Sequence, residues 1–292
     1  MAGTHPFDWH LHVFWLLALL GLVATYLWAT RQPGWGATTR QRLLFFSGVL
    51  VLAVALTWPL GDLAGHWSLM ALVLQRLLLT LAVPPLFVLG TPRPVIARLT
   101  RPAAVDVVQR TVVRPVPAIV IVTVVAVGTL TVGAVSLAAH SPLARVLIEL
   151  VVLASGFVLW APVLTELPGA PRLSALGRGG YLIVQSIVPS FLSIVWIFAR
   201  HPLYPSFTHA GTVAGMSPLL DQELSGFLAK LSTIAVLWTV AFVIMTRAQV
   251  AETAGRDPEP LVWSDVEREI QRAERRDRRQ GLPGPPTPGS SP

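Results

Sequence analysis

Four residues with chemical potential interrupt apolar runs of this chain. Gln75 and Arg76 fall inside the stretch ALVLQRLLLTLAVPPLFVLG at 71–90, and Glu149 and Lys230 fall inside two further apolar blocks. A charged side chain in hydrocarbon costs roughly 3 kcal/mol even on lenient insertion scales, so such groups pair with one another or face water. They serve as ion pairs, proton relays or parts of solute pathways. Glu149 is the natural counter-ion for Arg76, for Lys230, or for both. The alternatives are a helix-packing ion pair without chemistry, and cations that extend outward along their own stems to the interface.

A second set is more scattered. The seven histidines are His5, His10, His12, His66, His140, His201 and His209, and Met70 and Met216 lie near them between the apolar blocks. Imidazole and thioether are the side chains that suit copper when thiolates are absent. Cysteine is absent altogether, which excludes disulfides, thiolate catalysis and Cys-based metal sites. Short polar loops also attract histidine, so only His10 with His12, or a cluster created by folding, makes a metal site. No phosphate-cradling glycine loop, nucleophile elbow or HExxH pattern is present, and the sequence points to no enzyme.

The elements that position these residues follow from composition. Of 292 residues 53% are hydrophobic and 13% are charged, against about 25% charged in ordinary soluble domains. The apolar residues gather in blocks of about twenty, the length that carries a helix across a bilayer. The fold class is all-α: a polytopic membrane protein with seven transmembrane helices, near 12–30, 43–58, 68–90, 116–138, 146–166, 180–200 and 222–246. The first block reads as a span rather than a signal peptide. Pro84, Pro85 and Pro189 are expected to kink their helices, with neighbouring elements covering the freed carbonyls.

Arginines concentrate after the first, third and fifth spans, at Arg31, Arg40 and Arg42, at Arg93, Arg98, Arg101, Arg110 and Arg114, and at Arg172 and Arg178. The opposite loops hold only Arg145 and Arg200, at helix edges. This asymmetry predicts an outside N-terminus and a cytoplasmic C-terminus, and it accounts for the net charge of +7 without nucleic acid. The histidines and the two methionines then fall on the outer face. Arg76, Glu149 and Lys230 fall no more than eight residues into spans of one direction, at most roughly 12 Å deep. Comparable depth suggests one shared cluster.

Three segments are expected: a transmembrane domain over 1–247, a charged helical tail in the cytoplasm over 248–280, and a disordered Pro/Gly/Ser end over 281–292. Ser264 and Glu267 form a capping-box pattern that opens the tail helix. The final segment lacks the apolar residues needed to fold.

Several stretches read together. QRLLLTLAVPPLFVLGTP, GFVLWAPVL, HPLYPSF and SPLLDQELSGF occur in this order across most of 9–247, and they resemble the CtaG-like family of cytochrome c oxidase assembly factors of Gram-positive bacteria. The resemblance implies a multi-pass plasma-membrane protein with an extracytoplasmic site. It also implies a role in maturing a haem–copper oxidase, as a chaperone or in copper delivery, with the oxidase subunits and the bilayer as partners. This chain departs from the family pattern at the embedded positions. Where the family carries HMxQH before its double proline, residues 72–76 read LVLQR, so Gln75 remains and both histidines are gone. A Glu-His pair becomes Ile148-Glu149, and Met-Trp in the last helix becomes Ala229-Lys230. Positions implied to hold metal thus hold charge, and copper, if carried, falls to His10, His12, His66, His140, His201, His209, Met70 and Met216.

Two other functions fit parts of this pattern. A diverged paralogue would act as a structural partner of another membrane complex without copper. A proton or solute pathway through Glu149 and Arg76 would need polar lining on several helices, and beyond Gln75, Gln185 and scattered Ser and Thr the spans offer little.

Overall fold

The apolar runs form helices, and the places where those helices break decide which of them meet. The computed structural model describes residues 12–99, 114–164, 173–187, 190–208 and 215–254. Regular structure among them is helical: α1 Val13–Thr30, α2 Thr39–Leu56, α3 Leu60–His66, α4 Leu69–Leu77, α5 Val83–Gly90, α6 Arg93–Leu99, α7 Pro115–Thr129, α8 Val132–His140, α9 Pro142–Trp160, α10 Ala175–Ile187, α11 Ser190–Phe198, α12 Pro205–Thr208 and α13 Pro218–Thr253. Among the described residues six stretches are long and apolar enough to cross a membrane, and a seventh is added if α7 and α8, bent by 63°, count as one span. Many large apolar side chains point outward, with Leu20, Leu50, Val116, Phe191 and Leu231 all more than 60% exposed. Such a surface is stable in lipid and not in water. The protein is a multi-pass helical membrane protein.

The chain divides after Met245 into two units, and of the second only the helical turns 246–254 are described. The expected tail helix around Ser264 and the disordered end lie outside the described residues. Within the first unit the span Leu69–Gly90 is central: 56% of its apolar window is buried, against 17% for the first and last spans. It contributes to all three apolar cores, with Leu72 and Val73 in one, Leu81 in the second, and Leu79 and Val83 in the third. Gln75 and Arg76 therefore face protein, not lipid.

That central span is not a plain α-helix. A π-helical stretch, Leu78–Ala82, separates α4 from α5, and Pro84 and Pro85 follow at its end. A proline at position 84 cannot donate to the carbonyl four residues earlier, that of Thr80. The indole Nε1 of Trp160 on α9 donates to this carbonyl at 3.0 Å. α9 comes this close because Gly156 faces the π stretch: a Cβ there would lie 2.8 Å from Thr80 Cα and 2.9 Å from the Leu79 carbonyl oxygen. A broken helix in a membrane persists only where such neighbours satisfy it.

Three expected boundaries move, each for a local reason. α2 starts at Thr39 rather than near 43 because Thr38 and Gln41 form a capping box. α9 starts at Pro142, with Ser141 as N-cap, so Arg145 lies inside the helix and not at its edge. The fourth span, expected as one helix over 116–138, breaks at Leu130. There the hydroxyl of Tyr204 donates to the Leu130 carbonyl at 2.5 Å and accepts from Trp196 Nε1 at 3.1 Å. Burial raises the Tyr204 phenol above its ordinary pKa, with the Trp196 hydrogen bond opposing weakly, so the hydroxyl stays a donor.

Candidate intramembrane site

The start of α13 fixes the height of the central helix. Asp221 accepts from the Ser68 hydroxyl and from the Leu69 backbone N–H, both at 2.6 Å, at the N-terminus of α4. A carboxylate at that end satisfies orphan donors and meets the positive end of the helix dipole. The next residue, Gln222, accepts from the Leu203 N–H at 2.7 Å and donates to the Trp196 carbonyl at 3.4 Å. The Asp-Gln opening of the last helix and the HPLYP segment are thus tied together by hydrogen bonds around α4.

One to two turns into α4, Gln75 and Arg76 meet α9. The Gln75 amide donates to the Ala55 carbonyl at 2.8 Å and to Glu149 Oε1 at 3.0 Å. Arg145, one turn before Glu149, donates through Nε to the same oxygen at 3.2 Å and through Nη2 to the Gly61 carbonyl. The ion pair that forms is Arg145–Glu149, an i,i+4 pair on one helix. Gln75 and Glu149 are 1% and 2% exposed, so they are shielded from lipid and water, while Arg145 is half-buried. Glu149 Oε2, Arg76 Nε and Arg76 Nη1 are buried without a hydrogen-bond partner among the described residues. Arg76, Arg145 and Glu149 line a void of about 20 Å³, enough for a single water.

A larger cavity of about 100 Å³ lies on the other side of Arg76, between α4, the π stretch, α7, α9, α10, α11 and α13. Its walls are almost wholly apolar. Arg76 lines both spaces. Lys230 is half-buried and lines neither, although its helix neighbours Ala229 and Thr233 face the larger cavity. Of the residues expected to share one cluster, the fold brings together Gln75, Arg76 and Glu149. Arg145 joins the polar lining of the smaller space, and Gln185 that of the larger, beside the hydroxyls of Thr80, Thr129, Ser155, Ser193 and Thr233. The spacing of Arg145 to Glu149 on one helix carried that signal; nothing local marked Gln185.

The embedded residues do not fit a copper ion. At the embedded network, Gln75 directs its amide N–H groups to Ala55 and Glu149, one Glu149 oxygen is shared by two donors, and a guanidinium has no lone pair to offer. Elsewhere, His12 Nε2 lies 2.9 Å from Asp62 Oδ1, and His140 Nδ1 meets the Ser136 carbonyl of its own helix at 2.7 Å. His201 is exposed, and His66, Met70 and Met216 are half-buried. Among the described residues no three His, Asp or Glu side chains converge in a metal-holding group. His5, His10 and His209 lie outside the described residues.

The bundle, its broken central helix and the buried Gln75, Arg76 and Glu149 define a class: multi-pass membrane proteins that keep ionisable groups inside the protein, away from lipid. Residues 9–249 match the family model described as cytochrome c oxidase caa3 assembly factor (Caa3_CtaG). The chain belongs to this family of cytochrome c oxidase assembly factors. No curated protein and no solved structure matches it.

Proposed function

We propose that the protein is a non-enzymatic assembly chaperone for a haem–copper cytochrome c oxidase, sitting in the plasma membrane with its N-terminus outside and its C-terminus in the cytoplasm. Its embedded cluster of Gln75, Arg76 and Glu149 acts as scaffold, and Lys230 contributes charge nearby without joining the network. Copper delivery through the embedded positions is not part of this role. The observation that supports the reading best is the Arg145–Glu149–Gln75 network at the height where the family resemblance implies metal ligands. Two guanidiniums beside one carboxylate repel a metal cation and leave it no ligand set. The surface offered to the oxidase is the lipid-facing bundle, whose exposed apolar side chains suit helix–helix contact within the membrane.

The test is oxidase activity in membranes of a deletion strain, grown with and without added copper. Activity that is lost and not restored by copper supports a chaperone role. Restoration by copper would move the function to copper supply through the outer histidines and methionines. Unchanged activity would overturn the assembly reading.

A further inference from the structure

A third space lies at the end of the bundle where the arginines after the first and third spans come together. The backbones of α2 and α5 nearly touch there: a Cβ on Gly90 would lie 2.5 Å from Phe45 N and 3.0 Å from the Gln41 carbonyl oxygen. The Tyr26 hydroxyl donates to the Gly90 carbonyl at 3.0 Å, and the Tyr26 ring stacks on Phe45 with centroids 3.6 Å apart. A cleft of about 340 Å³ borders this contact, lined by the first turns of α2 and by the α5–α6 junction. That volume falls within the range of small-ligand pockets, about 300–1,000 Å³. Arg40 and Arg93 line the cleft from its two sides, and both are exposed, so a ligand can reach their charge. Gln41 lines it as well. Its Oε1 accepts from the Thr38 N–H at 3.0 Å, which leaves the amide NH2 as the end that can donate to a ligand. Leu44 and Leu89 give the same cleft an apolar side, and Leu89 is 40% exposed on the surface that meets lipid. Segments 31–42 and 91–99 together hold five arginines and no Asp or Glu. Among the described residues no carboxylate lines the cleft. Arg98 of α6 lies 5.5 Å from the ring centre of Trp35, before α2, and an indole beside a cation suits the headgroup level of a bilayer.

We propose that this cleft binds the headgroup of an anionic glycerophospholipid. The phosphodiester sits between Arg40 and Arg93, the Gln41 amide donates to it, and the acyl chains stay outside, over Leu89 and along the lipid-facing surface. Only the headgroup enters, so the volume suffices. A phosphate oxygen accepts charge-assisted hydrogen bonds, and a guanidinium fork matches its geometry. Basic pockets between spans at the membrane edge select anionic headgroups for this reason. A free phosphate ion would use the two arginines but leave the Leu44–Leu89 side without a partner. A lipid uses both sides. The bound headgroup joins the start of α2 to the start of α6, so binding stabilises the bundle by mass action.

The full chain, purified in dodecyl maltoside, is titrated with dioleoylphosphatidylglycerol, with dioleoylphosphatidylcholine, which has the same chains and no net charge, and with inorganic phosphate. Native mass spectrometry reads bound lipid, and thermal melts read stabilisation. The expected result is saturable binding of phosphatidylglycerol, at least about fivefold tighter than phosphatidylcholine, with a raised melting temperature that phosphate does not reproduce. Arg40→Gln and Arg93→Gln should each weaken phosphatidylglycerol roughly fivefold and leave phosphatidylcholine unchanged. Arg42→Gln, on the same helix but outside the cleft, should leave both lipids unchanged. Equal binding of the two lipids by the unmodified protein would overturn the proposal whether or not any variant folds. A loss from Arg42→Gln as large as that from Arg40→Gln would reduce the effect to general surface charge and overturn the site. Displacement of phosphatidylglycerol by an equal concentration of inorganic phosphate would make it a site for free anions and overturn the lipid assignment.

Discussion

The indole of Trp160 stands in for the backbone donor that Pro84 lacks: its Nε1 lies 3.0 Å from the Thr80 carbonyl, four residues before that proline. Trp160 is 3% exposed, so no water or lipid headgroup can take its place. Trp160→Phe keeps an aromatic ring but removes the donor and the second ring, so a small cavity adds to the lost hydrogen bond. The hydrogen bond alone should account for about 1–2 kcal/mol of lost stability, the range for buried hydrogen bonds in membranes and in protein interiors. Reversible unfolding in mixed micelles reads this directly. The loss should shrink when Pro84→Ala is added, because position 84 then carries its own N–H. Additive losses would show that the indole acts by packing alone.

Gly156 sets how closely α9 approaches the central span. An added Cβ would lie 2.8 Å from Pro84 Cγ, 2.8 Å from Thr80 Cα and 2.9 Å from the Leu79 carbonyl oxygen, and two of these are backbone atoms that cannot rotate away. Gly156→Ala should therefore destabilise by about 1–3 kcal/mol through overpacking. Gly180, on α10, has nothing within 4 Å of the same built atom. Gly180→Ala should be neutral or slightly stabilising, as expected for removing a glycine from a helix interior. Thermal melts of the two variants in one detergent compare them, and similar losses would remove the close-contact explanation.

Asp221 holds the start of α4 with both carboxylate oxygens, one on the Ser68 hydroxyl and one on the Leu69 N–H, each at 2.6 Å. Asp221→Asn leaves a single acceptor oxygen and removes the charge at the positive helix end. The expected loss is about 1–2 kcal/mol. Asp221→Ala should lose more, because it leaves both donors unmet. Amide hydrogen exchange at Leu69–Ala71 should rise first. Exchange that rises equally across the bundle would point to global unfolding instead.

Apolar block length was enough to read an all-helical, multi-pass chain, because burial in lipid is a demand on every residue of a span. Break positions were harder. Pro84 and Pro85 announced a defect, yet its π-helical form depends on Gly156 and Trp160, some seventy to eighty residues away. The bend at Leu130 carries no proline, and Tyr204 satisfies it from another part of the chain. The site was legible in part for the same reason. Gln75, Arg76 and Glu149 stand out as polar residues in apolar runs, but which charge meets which depends on helix rotation, and depth alone placed Lys230 in a cluster it does not line. Arg145 was hidden by a boundary: read as a helix edge, it lost the i,i+4 relation that decides its role.

That relation gives the most discriminating prediction. Glu149→Gln removes a buried carboxylate from a small space that Arg145 and Arg76 also line. Breaking a buried pair from one side leaves uncompensated charge and typically costs about 3–5 kcal/mol. Lys230→Met, which touches neither cavity, should change stability by roughly 0.5 kcal/mol or less. Double-mutant cycles separate the partners. Glu149→Gln with Arg145→Met should show a coupling of about 1–3 kcal/mol, whereas Glu149→Gln with Lys230→Met should be additive within about 0.5 kcal/mol. Arg76→Met should couple to Glu149→Gln more weakly than Arg145→Met does, because Arg76 shares the void with Glu149 without a hydrogen bond to it. A Lys230 coupling as large as that of Arg145 would mean that Glu149 turns toward α13 in the membrane, and the network described here would have to be redrawn around it.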